Sequence, residues 1–146
     1  MPEQRPPKVR LSDIEPNRRR GGDLRVLLSP KTVGATTGFM GALSLRPGEF
    51  VAEHYHPYSE EFLFVVRGAI DVRIDGEYRK LAVEEGVMVP IGARHRVENN
   101  GVEDSFAVFS LGPLASEPRL GHVDTEEVPN PDLDHSAITE TSGDKR

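Results

Sequence analysis

The 146-residue sequence has no cysteine. Disulfides and thiolate ligands are therefore excluded, and any transition metal would have to be held by histidine and carboxylate. The sequence also lacks an apolar run of the roughly eighteen residues a membrane helix needs, and no signal-type hydrophobic stretch follows Met1. Neither membrane insertion nor secretion is indicated, and a cytoplasmic protein is expected. No internal repeat is visible, and no segment carries a helical period for long. Positive charge is in deficit: 18 Lys and Arg stand against 24 Asp and Glu, a formal net charge of −6. Phosphate contacts dominate affinity for nucleic acid, so an acidic chain argues against such a partner.

The charge is unevenly placed. Residues 1–25 carry seven basic and four acidic groups, whereas residues 117–146 carry three basic and eight acidic. The cluster Arg18-Arg19-Arg20 reads either as a solvated turn beside Gly21-Gly22 or as a docking patch for an acidic partner. With 29% ionisable and 36% hydrophobic residues, the length suits one compact domain with polar ends. Residues 1–23 are expected to form an N-terminal arm, extended over the proline-bearing residues 1–9. Residues 24–116 would form the folded domain. Residues 117–146 would be an acidic extension, partly disordered and mostly so after Asp124.

Between these ends the sequence is a succession of short strands. Leu24 to Ser29 and Thr36 to Leu45 come first, the second interrupted by Gly38 and Gly41. Pro47-Gly48 is a turn. Ile70, Val72 and Ile74 alternate with polar residues, and Asp75-Gly76 signals a hairpin into Tyr78–Ala82. Val87-Met88-Val89 stops at Pro90, and His95–Glu98 and Ser105–Leu111 complete nine or ten strands. Short strands with Gly, Pro, Asn and Asp turns and no long helix point to an all-β sandwich or barrel of the jelly-roll type.

The stretch Gly48 to Gly68 carries the chemistry. His54 and His56 lie two residues apart in a strand and would project to one face. The acidic pair Glu60-Glu61 follows, then the apolar run Phe62 to Val66. Imidazoles beside a carboxylate in an apolar setting suggest a transition-metal site, and His95 supplies a third imidazole. His122 is a reserve ligand, and His135 lies in the acidic tail. Such a set suits Zn, Fe, Ni, Mn or Cu. Phe39, Met40, Phe50, Phe64, Phe106 and Phe109 are the large residues available for an apolar cavity. Of these, Phe39, Met40, Phe50 and Phe106 are taken as substrate-binding. Tyr58, between His56 and the acidic pair, could hydrogen-bond a substrate carbonyl or simply pack at the rim.

These segments resemble the two motifs of the cupin superfamily. The first motif is met at Gly48, His54, His56, Glu61 and Gly68, and the second at Pro90, Gly92, His95 and Asn99, nine positions at fixed spacing. The second motif should open with glycine at position 84, where this chain has Glu84, a substituted turn position. Fifteen residues separate Gly68 from Glu84, the short spacing of single-domain bacterial members. The resemblance implies a single-domain cupin jelly-roll barrel, Glu61 as the fourth ligand beside His54, His56 and His95, and often a homodimer, with the first strand pairing across the subunit boundary.

A narrower resemblance spans roughly residues 18 to 127. HYHPYSEEFLFVVRG, VPIGARHRVEN and LGPLASEPRLGHVDTE are similar to the small monocupin cyclases of aromatic polyketide pathways, of the tetracenomycin, spore-pigment and resistomycin type. It implies a zinc-dependent aldol closure and dehydration of a poly-β-keto substrate in an apolar cavity wide enough for a polycyclic or poly-β-keto chain, with an acyl carrier protein or synthase complex as the partner that would present it. Glu60, Glu61 and Tyr58 are then the catalytic candidates, with either carboxylate or a metal-bound hydroxide as base. The alternatives are an Fe(II)-dependent cupin oxygenase acting on an aromatic polyketide intermediate, and a non-catalytic small-molecule-binding subunit.

Overall fold

The computed structural model describes residues 6–133. Ten strands dominate it: β1 (Asp23–Leu28), β2 (Phe39–Leu45), β3 (Phe50–Tyr55), β4 (Glu60–Arg67), β5 (Ile70–Ile74), β6 (Glu77–Leu81), β7 (Gly86–Val89), β8 (His95–Glu98), β9 (Ser105–Gly112) and β10 (Val123–Asp124). One helical turn, α1 (Pro30–Val33), follows β1, begun by a capping box between Ser29 and Thr32. The strands form two antiparallel five-stranded sheets, ordered β1-β2-β9-β4-β7 and β10-β3-β8-β5-β6. This is the jelly-roll sandwich that the strand pattern implies.

Strict alternation decides which side chains enter the space between the sheets. Along β9, Ser105, Ala107, Phe109 and Leu111 are buried, whereas Phe106, Val108 and Ser110 face outward. Along β4 the inward residues are Glu61, Leu63 and Val65. Leu63 and Val65 meet Leu43, Val51, Val72 and Val97 in one continuous core. Each such side chain contributes about 1.5–3 kcal/mol by leaving water. The Asp75-Gly76 hairpin joins β5 to β6 with Ile74 opposite Glu77. Both turn residues have positive φ, 49° and 86°, as a two-residue type I′ turn requires.

Two expectations about the strands need correction. Residues 36–38 are not part of β2, which starts at Phe39. Gly41 does not interrupt that strand: it allows β1 to approach, since an added Cβ would lie 2.2 Å from the Arg25 carbonyl oxygen. The described part of the acidic segment after Asp124, residues 125–133, makes specific contacts. Thr125 N–H donates to the Glu53 carbonyl at 3.0 Å, and the Glu53 N–H donates to the Glu126 carboxylate at 2.7 Å. Val128 is buried. The segment thus continues the cover that β10 gives to the free edge of β3. The remainder of the tail, including His135, lies outside the described residues.

Candidate metal centre

The site is built around an irregularity in β3. Val51 pairs with Val97 and His54 with His95, so β3 spends three residues where β8 spends two. This β-bulge keeps both Val51 and His54 pointing inward despite their odd separation. His56 follows just after the strand. His95 opens β8 opposite His54, and Glu61 enters from the facing sheet on β4. All four side chains are buried, and one donor atom from each lies within 4.8 Å of the others.

Hydrogen bonds fix the orientation of each ring. Nδ1–H of His54 donates to the Ala52 carbonyl at 2.7 Å, that of His56 to Gly121 at 2.9 Å, and that of His95 to Ala93 at 3.0 Å. Committing every Nδ1 proton to the backbone leaves the three Nε2 atoms as donors to a common centre. Glu61 Oε1 lies 2.9 Å from His95 Nε2 and 3.3 Å from His56 Nε2. Burial alone would raise the Glu61 carboxyl, but His95 and His56 hold it well below the usual carboxylate range. Burial pulls His95 down, but its contacts with Glu61 outweigh this and its pKa is raised. His54 is driven well below the ordinary imidazole value, first by burial and then by the neighbouring histidines. Three oriented imidazoles and one ionised carboxylate form a donor set that could hold a divalent metal.

His122 reaches the same cavity. Its ring stacks on His54 with centroids 4.3 Å apart and planes 15° off parallel. Its Nε2 lies 2.9 Å from Asp124 Oδ1, so that nitrogen is engaged by the carboxylate. The cavity wall is apolar, with Leu24, Leu43, Leu63, Phe109 and Leu111 prominent. It is also narrow: about 30 Å³ is free beside the ligating groups, room for about one water. The expected width for a whole polycycle is not present.

Most of the residues expected to contact substrate lie elsewhere, for reasons of strand parity. Phe39 is buried in the core, edge-to-face on Phe109 at 6.4 Å. Met40 faces the outer groove of the first sheet, with Phe62, Phe64 and Met88. Phe50 lies beneath the Arg96 guanidinium at 4.0 Å, and Phe106 beneath that of Arg67 at 4.9 Å. Glu60 alternates with Glu61 and is only partly buried, and Tyr58 is half-exposed in the turn before β4; neither lines the cavity.

The arginine cluster is not one basic surface. Arg18 reaches Gly22 and Asp23, and Arg19 is engaged by the carbonyls of Pro131 and Leu133. Arg20 is 2% exposed and lines the same cavity as the four candidate ligands. Its Nε donates to Asp124 Oδ1 at 2.9 Å, the same oxygen that His122 contacts. Burial lowers its pKa to about 10 despite the favourable Asp124 charge. Sequence reasoning missed Arg20 because nothing in a run of three arginines tells which one turns inward.

Known proteins place this architecture. The cupin domain family model matches residues 42–111. Polyketide synthase CurC of Streptomyces cyaneus is 58% identical over 126 residues, which is 86% of this chain and 82% of that protein. The tetracenomycin polyketide synthase protein TcmJ of Streptomyces glaucescens is 49% identical over 85% of this chain and 83% of its own length. A Thermotoga maritima crystal structure described as a predicted oxalate decarboxylase superposes with a TM-score of 0.64. It covers 73% of this chain and 99% of its own at 23% identity, a likeness of fold alone. The chain belongs to the cupin family, in the group of small polyketide-related cupins that includes CurC and TcmJ.

Proposed function

We propose that the protein is a zinc-dependent aromatic polyketide cyclase that closes a poly-β-keto chain by aldol condensation and dehydration. The observation that carries this reading is the convergence of His54, His56, His95 and Glu61 in a narrow, largely apolar-walled cavity, in a chain closely similar to named polyketide synthase proteins. A divalent metal held there would supply Lewis-acid polarisation of a ketone and stabilisation of an enolate. The chain's own contribution is orientation. Three backbone carbonyls hold the imidazole protons, and the leucine wall excludes water from the reacting atoms. Holding the two reacting carbons in contact lowers the barrier by restricting the conformations an open chain would otherwise sample.

The cavity holds about one water as it stands, so entry of one β-dicarbonyl unit requires its wall to open, with the remainder of the chain lying across the mouth. Glu61 is committed to the imidazoles. The half-buried Glu60 and the exposed Tyr58 serve in this proposal only at the rim, where a carrier protein or synthase complex would present the substrate. The place of action is proposed to be the cytoplasm, and the working form a homodimer.

The test is incubation of the zinc-loaded protein with the synthase components of its pathway, alongside H95A. Cyclised product of unchanged oxidation level from the wild type, lost in H95A, is the expected result. Oxygen uptake by an iron-loaded sample would replace this reading with the oxygenase. A normal product distribution from H95A would leave a non-catalytic binding subunit.

A further inference from the structure

Arg20 sits where a ligand-binding arginine would be built. Its backbone is docked against the β3 bulge: Ala52 N–H donates to the Arg20 carbonyl at 2.8 Å. The next residue must be glycine, because Gly21 has φ +106° and an added Cβ would meet the Phe50 carbonyl oxygen at 2.0 Å. This close approach turns the Arg20 side chain inward, to the cavity that also holds His54, His56, His95 and Glu61. Asp124 balances the charge through Nε. Nη1 is buried and has no hydrogen-bond partner among the described residues.

Such an arrangement is costly as a structural strut alone. A buried ion pair is commonly no better than an apolar replacement of similar size, and an unpaired buried donor is worse. Guanidinium N–H groups have no function except to donate, and they suit planar oxygen ligands. The cavity already offers nitrogen and carboxylate donors to a cation. What it otherwise lacks is a positive hydrogen-bond donor for the oxygen of a bound organic molecule.

We propose that Arg20 Nη1 is the recognition point for an anionic oxygen of the ligand, specifically one oxygen of a 1,3-dicarbonyl enolate whose reacting end lies among the histidines. The proposal rests on the cyclase reading for its ligand class. It adds a binding residue from outside both histidine motifs, held in place by Asp124.

The experiment titrates acetylacetone, a minimal 1,3-diketone, into zinc-loaded wild type, R20K and R20Q. Calorimetry and enolate absorbance give the affinity, and metal content and melting temperature are measured in parallel. R20Q should bind about tenfold more weakly or worse, with zinc stoichiometry unchanged, and R20K should fall between. Equal affinity in R20Q and wild type overturns the inference, as does failure of the wild type to bind. Loss of zinc in both variants overturns it in favour of a strut for Asp124 and His122. A crystal structure of the wild type with the probe needs no variant. A probe oxygen within about 3.2 Å of Arg20 Nη1 supports the proposal, and any other placement ends it. Arg20-dependent enolate binding without ring closure in the synthase assay would sink the cyclase reading and leave this subsite standing.

Discussion

At the scale of single residues, the second histidine motif separates into chemistry and scaffolding. Asn99 is 1% exposed. Its Nδ2 donates to the Leu45 and Glu103 carbonyls at 2.9 and 2.8 Å, and its Oδ1 accepts from the Gly101 N–H at 2.9 Å. Replacing it with alanine removes a donor from the Leu45 and Glu103 carbonyls and the acceptor of the Gly101 amide, leaving Leu45 with only the 3.4 Å bond from Ser105 Oγ. N99A should lose about 2–4 kcal/mol of stability in denaturant titration. Glu84, at the glycine position of that motif, adopts φ +70° in an exposed turn. An L-residue is strained there and glycine is not, although glycine costs some unfolded-chain entropy. E84G should therefore stabilise the fold by about 0.5–1 kcal/mol without altering metal content, read by the same titration. His54, His56, Glu61 and His95 were legible in the sequence because two-residue strand periodicity and fixed spacing determine their direction. Arg20 was not, since its direction depends on where the chain docks against a bulge, and a bulge leaves no mark in residue type.

At the scale of elements, the contacts of residues 125–133 are what pattern reading could not supply. The segment's composition is acidic and proline-bearing, which resembles a solvated tail, yet it is held by specific partners that composition does not reveal. Glu126 accepts from Glu53 N–H and from Arg96 Nε at 3.0 Å. Burial would raise its pKa, but these bonds outweigh that and lower it below the ordinary glutamate value. A depressed folded-state pKa means stabilisation that is present above the unfolded value, about 4.3, and lost as pH falls through the folded one. Protection of the Glu53 and Thr125 amides from hydrogen exchange should therefore collapse on acidification below about pH 4. E126Q should show that loss at neutral pH as well. Retained protection in E126Q would mean that β10 pairing alone holds the segment. The same segment supplies Gly121, which accepts from His56, and His122 and Asp124 at the cavity, so its release should also weaken metal retention.

At the scale of the whole molecule, the outer face of the first sheet is the feature a solitary chain does not account for. Phe62, Phe64 and Met88 are 48%, 44% and 42% exposed on neighbouring strands β4 and β7, with Met40 and Val108 beside them. Alternation explains why they point outward, but not why they are apolar; the opposite sheet ends in the charged β6, EYRKL. Contiguous exposed aromatic and thioether surface is the kind that a second copy covers. The proposed homodimer then has two possible seams, this face or the outer edge of β1. A double variant, F62S/F64S, separates them. If the face is the seam, sedimentation should show a wild-type dimer and a variant whose dissociation constant rises about a hundredfold or more, from two lost phenylalanine contacts. Zinc content should stay unchanged, because both side chains lie on the far side of β4 from Glu61. A variant that remains dimeric moves the seam to β1, and a monomeric wild type removes the dimer altogether.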